Sequence, residues 1–413
     1  MAQPDLMKPD FARNIRLLGH SDQGGRADGV QIMVVDGFAY VGHQFSDGFS
    51  VIDVRDPRNP KTVNYIPSPP NTWSIHLQAA DDLLLVINCL NFYREEHLTN
   101  EAVYYSGSMA EKTQGSRGYS AGIRVYDIKD RANPREVGFM PVDGVGVHRI
   151  WYTGGRWAYA SALLDGFIDA VMIIVDMADP THPKMVSTNW IPGMNKAAGE
   201  VPSWDPKFRY SCHHPIVAGD TAYVTWRDGG LTLVDVSDRY HPRTISHRNW
   251  CPPYGGGTHN ALPLPDRDLV IVVDEAVRDE IADGIKYIWT FDVRDKTNPV
   301  SISTMPTPAE IDYAHKGAHF GPHNIHENRP GSFVSSTRIF TTYQNAGVRV
   351  FDIANAYEPK EIGALVPPEP ARLMDTRPNR AKVIQTSDIF VDRNQIMYVT
   401  DTNAGLYIME MTE

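Results

Sequence analysis

The sequence predicts an all-β fold, a seven-bladed β-propeller in which the N-terminal strand closes the last blade. Three observations support this prediction: a strand-and-turn signature recurs along the chain, its last copy is cut short, and an unpaired strand precedes the first copy. The copies lie roughly 45 to 75 residues apart, a spacing typical of repeat architectures. Because the copies fill the chain, we expect residues 1–413 to form a single domain.

The signature is an apolar strand that ends in an acidic residue and continues into a proline-containing turn. Its clearest copy is Gly48–Asp53, followed by a turn at 54–60 and a further strand at 61–65. Valine, isoleucine, tyrosine and phenylalanine favour strands, whereas aspartate and proline favour turns. The other copies end at Asp127, Asp176, Asp235, Asp292, Asp352 and Glu410. Each unit is therefore predicted to have four strands, as in a propeller blade.

The two ends of the chain complement each other. The last copy begins at Gly405 and reaches the end of the sequence after its third strand, while residues 14–19 form a strand pattern without a partner. An exposed strand edge favours aggregation, and closed rings avoid it. We therefore expect residues 14–19 to supply the fourth strand of the last blade.

Five histidines share one position in the repeat, at the start of the first strand, where the other two copies have Val30 and Ser387. A closed ring brings equivalent positions to one axis, and histidine is the commonest protein metal ligand. The pattern predicts one divalent transition metal held by ligands from this set: His76, His148, His214, His259 and His323. The choice between His213 and His214 is ambiguous because adjacent strand residues point to opposite faces, and the repeat alignment favours His214. A metal-free plug of hydrogen-bonded histidines is the alternative.

Polar and titratable residues follow the histidines or end the second strands, which should reach the same face. We expect them to surround the metal, as in a site that binds and transforms a small molecule. The residues predicted to transfer protons are Glu275, Glu327, Tyr343 and His326. The residues predicted to contact the substrate are His43, Arg149, Trp226, Arg227, Asp274, Asp388, Asp401 and His319.

Four long loops are predicted to cap this face of the ring, because long loops in a compact domain are usually functional. They span residues 89–121, 192–212, 275–286 and 303–321. Aromatic residues in and near these loops are expected to form a lid over the channel: Phe92, Tyr93, Tyr104, Tyr105, Tyr119, Trp204, Phe208, Tyr210 and Tyr254.

The composition excludes several other classes of function. The net charge of −11 argues against nucleic acid and anionic membranes as partners. The chain has neither an apolar run of 18 residues nor an apolar N-terminal segment, so we expect no membrane span and no secretion signal. Three unpatterned cysteines favour a reducing, cytoplasmic location. We found no nucleotide-binding or serine-hydrolase motif, and the oligomeric state stays open.

The strand signature resembles the LVIVD-repeat family, whose motif is similar to Leu231–Asp235. The resemblance extends over nearly the whole chain and implies a β-propeller, but it does not imply a particular activity. The histidine ring is similar in kind to the metal sites of carotenoid-cleaving oxygenases, selenium-binding-type methanethiol oxidases and oligogalacturonate lyases, all of which are propellers.

An all-histidine ligand set suits Fe, Mn, Zn, Ni or Cu. With carboxylates kept outside that set, the sequence favours a non-haem iron-type oxidoreductase that acts on a small, partly apolar or aromatic substrate. Arg227 or Arg149 could hold a substrate carboxylate. A Mn- or Zn-dependent lyase or hydrolase is the first alternative, and a non-catalytic metal-containing interaction propeller is the second.

Overall fold

The computed structural model describes residues 7–412, and this part of the chain is dominated by β-strands. Its two α-helices, α1 (Glu101–Tyr104) and α2 (Met109–Lys112), have one turn each. Short 3-10 helices cover Phe92–Arg94, Glu96–Thr99, Lys196–Ala198, Pro265–Arg267, Asp279–Ile281 and Tyr313–His315. No helix within residues 7–412 is long and apolar enough to cross a membrane. The all-β prediction is confirmed.

The strands of the N-terminal half follow one another in antiparallel order. They are β1 (Phe11–Arg13), β2 (Ile15–Ser21), β3 (Gly29–Val35), β4 (Phe38–His43), β5 (Gly48–Asp53), β6 (Lys61–Pro67), β7 (Thr72–Trp73), β8 (Leu77–Ala80), β9 (Leu83–Leu90), β10 (Gly122–Asp127), β11 (Arg135–Pro141), β12 (Gly144–Trp151), β13 (Trp157–Leu164), β14 (Val171–Asp176) and β15 (Lys184–Asn189).

The strands of the C-terminal half continue the same pattern. They are β16 (Pro215–Ala218), β17 (Thr221–Thr225), β18 (Leu231–Asp235), β19 (Arg243–Arg248), β20 (Thr258–Leu264), β21 (Leu269–Asp274), β22 (Ile288–Asp292), β23 (Val300–Thr304), β24 (Arg338–Thr342), β25 (Val348–Asp352), β26 (Lys360–Val366), β27 (Thr386–Val391), β28 (Ile396–Asp401) and β29 (Gly405–Met411).

These strands form six sheets, of which five have four strands and one has nine. Three of the small sheets consist of consecutive strands: β3–β6, β16–β19 and β20–β23. The large sheet joins two similar runs, β8–β11 and β12–β15, through the pairing of Gly146 with Cys89, and β7 pairs with β9 beside this junction. Every pairing is antiparallel, so short turns suffice to connect neighbouring strands.

The N-terminal segment completes the remaining two sheets. Strand β2 pairs with β29, so that Ile15 lies opposite Met411 and the strand predicted at residues 14–19 lies beside the last copy of the repeat. Strand β1 was not predicted from the sequence, and it pairs with β26 through Phe11 and Val366. The N-terminus therefore fastens two neighbouring sheets rather than one.

The first strands of neighbouring sheets contact one another around a common axis. Strand β3 lies against β8, β8 against β12, β12 against β16, and β16 against β20. Residues 323–326 take the innermost place beside β24, where His323 and His326 donate backbone N–H groups to Thr342 and Phe340. Strand β27 lies against both β24 and β3, so the arrangement returns to its starting point.

The turn signature forms as expected at the outer end of each third strand. Asp53 accepts a hydrogen bond from the backbone N–H of Arg55 at 3.1 Å, and Asp56 accepts one from Arg58 at 3.0 Å. Asp235 repeats this contact with Ser237 at 2.9 Å. Such side-chain bonds to the backbone end a strand and start a turn. The acidic turn residues are therefore structural.

The innermost strands carry β-bulges close to the axis, and the bulges coincide with the histidine positions. Pairing between β12 and β13 skips His148, so that His148 and Arg149 share one partner position. Pairing between β20 and β21 skips His259 in the same way. A bulge leaves one residue unpaired and redirects side chains. Simple alternation of faces therefore fails at the positions on which the candidate site depends.

Candidate metal centre

Five imidazoles border one cavity on the axis, and together they form an arc. The ring centroids are 4.8 Å apart between His76 and His148, and 5.0 Å apart between His148 and His213. The arc continues to His259 at 3.8 Å and ends at His323 after a further 4.5 Å. The cavity has a volume of about 880 Å³, including the part open to solvent. Four of the five histidines of the predicted column therefore border this cavity.

The assignment of His214 to this arc is wrong, because His213 takes the position. The backbone N–H of His213 donates to Thr225 at 2.7 Å, and Thr225 in turn donates to the carbonyl of His214 at 3.3 Å. Two histidines thus oppose one residue, which is the arrangement of a bulge. The His214 side chain turns away from the cavity, where its Nε2 lies 3.3 Å from the Ile150 carbonyl and its ring faces Trp151.

Backbone carbonyls of the neighbouring sheet orient three of the rings. The Nδ1 atom of His213 lies 2.6 Å from the carbonyl oxygen of His259. His76 and His323 make the same contact with the carbonyls of His148 and Ser387. A carbonyl can only accept, so Nδ1 carries the proton and the lone pair is on Nε2. This tautomer is the one that a metal-binding imidazole needs.

A carboxylate joins the histidines, contrary to the expectation that carboxylates stay outside the ligand set. The two oxygens of Glu275 lie 3.4 Å from the Nε2 atoms of His259 and His323. Ligand atoms of these three residues lie within 4.8 Å of one another, so they could share a metal ion. The guanidinium of Arg227 pairs with the same carboxylate. Glu275 and Arg227 both border the cavity, as predicted.

The protonation states in the cavity suit metal binding. Burial, aided by nearby positive groups, lowers the pKa of four histidines well below its ordinary value: His76, His148, His213 and His259. Burial opposes ionisation of Glu275, but Arg227 and His323 outweigh it and hold the pKa of that carboxyl far below its usual range. At pH 7 the floor of the cavity therefore offers neutral imidazoles and one carboxylate, which is the form that binds metals.

Charged residues from four loops meet at the mouth of the cavity. Glu101, carried by α1, lies 2.8 Å from the Nε2 of His319 and also pairs with Arg380 and Arg377. Asp279 lies 3.4 Å from the same His319 nitrogen. Glu101, Asp279 and His319 are close enough to hold an ion, but the two arginines already neutralise Glu101. We therefore regard the group as an ion-pair network that holds the loops together.

Aromatic residues form one wall of the cavity, although fewer than the sequence suggested. Tyr93, Tyr104 and Tyr105 border it together with Trp73. Within residues 7–412 the hydroxyls of these three tyrosines make no hydrogen bond to protein. The other residues of the predicted lid do not border the cavity: Phe92, Tyr119, Trp204, Phe208, Tyr210 and Tyr254. Loop 192–212 therefore does not contribute to the lid.

The ends of the second strands do not face the cavity, contrary to expectation, because their side chains are used inside the sheets. His43 is completely buried between Asp28 at 3.1 Å and Ser50 at 2.7 Å. The indole of Trp226 donates to Thr232 at 2.8 Å. The other members of this column are also used inside the protein. Asp274 accepts a hydrogen bond from the indole of Trp289, Tyr343 packs against Phe320 in the core, and Asp401 accepts from the backbone N–H of Asn403.

Four further predicted site residues also lie away from the cavity. His326 uses both ring nitrogens, at Phe333 and Val391. Arg149, Asp388 and Glu327 instead belong to a buried polar layer next to the histidine arc. The contacts of this layer include Arg149 with Asn324, Asp388 with the Ile32 N–H, and Glu327 with Gln78. Of the predicted catalytic and substrate residues, only Glu275, Arg227 and His319 border the cavity.

Sequence reasoning missed Asp375, Arg377 and Arg380, which border the cavity from the connection between β26 and β27. That connection spans residues 367–385 and is as long as the loops that were singled out. Its length and its three arginines were the available signals. Arg377 stacks on Tyr93, with the guanidinium carbon 4.4 Å from the ring centroid.

Comparisons with known proteins agree with the architecture. Residues 24–65, 166–189 and 216–247 match the LVIVD repeat. No curated protein matches the sequence. The structure is similar to Pseudomonas aeruginosa periplasmic gluconolactonase PpgL, with 10% identity, 97% of this chain and 100% of that chain covered, and a TM-score of 0.55.

Two further solved structures are similar to the same extent. A hypothetical selenium-binding protein from Sulfolobus tokodaii has 14% identity, with 88% of this chain and 82% of that chain covered and a TM-score of 0.55. The beta-propeller domain of Myceliophteria thermophila Cps50 (Swd1) has 10% identity, with 96% and 98% covered and a TM-score of 0.52. At such identities the similarity shows the fold alone. The chain is a β-propeller protein that contains LVIVD repeats.

Proposed function

We propose that this protein is a metal-dependent hydrolase or lyase whose divalent ion is held by His259, His323 and Glu275. The observation that carries the proposal is the position of the Glu275 carboxylate, 3.4 Å from the Nε2 atoms of both histidines. Two imidazoles and one carboxylate are a ligand set of catalytic zinc sites, which leave a position open for water or substrate.

The ligand set fits the chemistry of such a reaction. An ion in this set would supply Lewis-acid polarisation of a carbonyl and activation of water. Among the four residues expected to transfer protons, only Glu275 borders the cavity, and there it is a metal ligand paired with Arg227 rather than a base. Arg227 keeps this carboxylate ionised.

The cavity suits a small organic substrate with an apolar or aromatic part and an anionic group. Tyr93, Tyr104 and Tyr105 provide the apolar wall and free hydroxyls. Arg377 and Arg380 stand at the mouth, where they pair with Asp375 and Glu101, and a carboxylate entering from solvent would join this ion-pair network. Arg227, which we expected to hold this carboxylate, is already paired with Glu275.

An iron-type oxidoreductase is the second candidate, and the number of imidazoles favours it. The arc alone has five histidines, which is more than a hydrolytic ion needs, and two histidines with one carboxylate also bind Fe(II) in oxygenases. The hydrolase or lyase is preferred because the argument for redox chemistry required carboxylates to stay outside the ligand set, and Glu275 does not.

We also infer that the molecule is one domain with seven blades. The nine-stranded sheet consists of two four-stranded runs that meet at one residue pair, Gly146 and Cys89. Counting these runs as two blades, together with the five four-stranded sheets, makes seven. The contact between β27 and β3 supports closure of the ring.

Metal content and oxygen dependence test the proposed function. Protein purified from metal-supplemented cultures should contain a divalent transition metal, and a chelator should remove both the metal and the activity. Lactones, esters and carboxylated aromatic compounds form the substrate panel; sugar lactones are included because one structural neighbour is named a gluconolactonase. Turnover should be equal with and without O2. Metal-free protein from every preparation would refute the proposal, and strictly O2-dependent turnover with iron would establish the second candidate.

A further inference from the structure

We propose that the cavity binds a second divalent transition-metal ion through His148 and His213, with His76 beside them. This ion would lie next to the one held by His259, His323 and Glu275, so the inference rests on the proposed function and deepens it. The substrate class that follows is one with an oxyanion able to bridge two ions.

One ion cannot use all five imidazoles where they stand. Ligand atoms about 2.0 to 2.2 Å from a common ion lie within about 4.4 Å of one another. In residues 7–412, only two groups of three or more His, Cys, Asp or Glu residues bring ligand atoms within 4.8 Å. One is the set around Glu275, and the other is the network at the mouth. The remaining three histidines therefore lie outside the sphere of the first ion.

Two of the remaining histidines, His148 and His213, are close enough to share an ion. The Nε2 atoms of His148 and His213 are 3.2 Å apart, close to the roughly 3.4 Å expected between two nitrogen ligands of a tetrahedral ion. The ring of His213 is fixed through its Nδ1 by the carbonyl of His259, which leaves the Nε2 lone pair directed at His148.

His76 offers a third imidazole next to this pair. Its ring stands edge-on to His148 with centroids 4.8 Å apart, and its Nδ1 is held by the His148 carbonyl. The Nε2 of His76 makes no hydrogen bond in the described part of the chain, and the residue borders the cavity. Ligand atoms of all three residues do not lie within 4.8 Å of one another, so His148 and His213 form the ligand pair and His76 is a neutral imidazole next to it.

The charge of the cavity floor bears on which substrate would bind there. Glu275 is the carboxylate on the floor of the cavity, whereas Asp279 and Asp375 are near the mouth and lie beside arginines or histidine. Two divalent ions with one carboxylate leave the floor strongly positive. Paired ions about 3.5 to 4 Å apart stabilise attacking and leaving oxygens together. Such a floor would favour a substrate carboxylate, or the oxyanion that forms when water attacks a carbonyl.

The competing explanation is a plain hydrogen bond between two neutral rings. Since His213 carries its proton on Nδ1, His148 would have to donate from Nε2 to His213. Both arrangements give the same distance between nitrogens. Metal stoichiometry separates them, because the hydrogen bond leaves the protein with one ion per chain.

The experiment is reconstitution of metal-free full-length protein with Zn²⁺ and with Mn²⁺, followed by metal analysis after removal of free ions. We expect two ions per chain in the wild-type protein and one in the double variant His148→Ala/His213→Ala. The variant His259→Ala/His323→Ala should retain the other ion. The control His182→Ala, at an exposed histidine paired with Asp179, should still bind two.

Each outcome decides between the proposals. One ion in the wild-type protein, lost with His259 and His323 and unaffected by changes at His148 and His213, would overturn the second site and leave the proposed function intact. No ion at all would overturn both. Should a double variant fail to fold, the wild-type stoichiometry and the spin-resonance spectrum of the Mn²⁺ form decide, since two neighbouring Mn²⁺ ions give a coupled spectrum and a single ion does not.

Discussion

His213 and His323 make the same backbone contact on two different innermost strands. The N–H of His213 donates to Thr225 at 2.7 Å, and the N–H of His323 donates to Thr342 at 3.0 Å. The next residue in each case, His214 or Asn324, receives a bond from the same threonine. The equivalent of His323 is therefore His213, and His214 corresponds to an asparagine that faces the buried polar layer.

Replacing His213 or His214 with alanine should have different effects. His213→Ala should lower the metal content, because it removes an imidazole that borders the cavity. His214→Ala should leave the metal content unchanged and lower the free energy of unfolding by about 1 to 3 kcal/mol, because it leaves a void beside Trp151. Metal analysis and thermal unfolding of the two variants test this, and equal metal loss in both would contradict the assignment.

The repeat itself could be predicted from sequence because it depends on local chemistry. Alternating apolar residues and Asp-Pro turns specify strands and their ends, and the truncated last copy indicated the partner of β2. The histidine column was found for the same reason, since a repeat fold places equivalent residues at equivalent sites.

The finer geometry could not be predicted because it depends on contacts between strands. At a bulge, two residues share one partner, so His213 and His214 cannot be distinguished by counting alternate faces. The second-strand column failed for a different reason. His43 and Trp226 end second strands, where a contact with a ligand was expected. Their polar ring atoms instead form hydrogen bonds with Ser50 and Thr232 inside the same sheets. Arg377 and Arg380 belong to a connection without strand periodicity and gave no pattern to align.

Removing residues 1–21 should destabilise the protein by roughly 3 to 6 kcal/mol. The deletion removes β1 and β2 with the buried side chains of Ile15 and Leu18, each worth about 1.5 to 3 kcal/mol on burial. It also exposes the edge of β29, which favours association. Thermal unfolding and size-exclusion chromatography measure both effects. An unchanged melting temperature and elution volume would contradict this role of β2.

Glu101→Gln should loosen the segment that covers the cavity. Nearby His319, Arg377 and Arg380 hold the pKa of Glu101 at about 2 against the effect of burial, so the group is ionised and paired at neutral pH. The glutamine is neutral and leaves those partners without their anion, which should lower the free energy of unfolding by about 1 to 3 kcal/mol. We expect faster hydrogen exchange and proteolysis within residues 96–118. Glu96→Gln, an exposed change on the same loop, should have no effect.

Asp401→Asn should remove a pH-dependent component of stability. Burial raises the pKa of Asp401 to about 7, although the backbone N–H groups of Asn403 and Ala404 donate to its carboxyl group. The folded protein therefore keeps a proton between about pH 4 and 7 that the unfolded chain releases, so stability falls as pH rises through this window and stays lower above it.

The asparagine variant has no such proton and should be more stable than wild type at pH 8, by up to about 4 kcal/mol. The difference should vanish or reverse near pH 4. Unfolding free energies of the two proteins at matched pH values measure it. Asp143→Asn, at an exposed carboxyl, is the control. A constant difference across the range would show that Asp401 ionises normally.

Glu275→Gln and Glu327→Gln compare two buried glutamates on either side of the histidine arc. Glu275 lies 3.4 Å from two candidate metal ligands, whereas Glu327 accepts from Gln78 at 2.9 Å and lies 3.5 Å from Arg329. Loss of the Glu275 charge should lower metal affinity at least 10- to 100-fold, the effect seen for residues that only orient a ligand. Turnover should fall with it, and Arg227 should be left without its partner.

Glu327→Gln should retain metal and turnover and should chiefly lower stability, because Arg329 loses its buried anion. Metal titration, turnover and thermal unfolding of both variants give the comparison. Metal loss in Glu327→Gln with normal binding in Glu275→Gln would place the ion in the polar layer and refute the proposed ligand set.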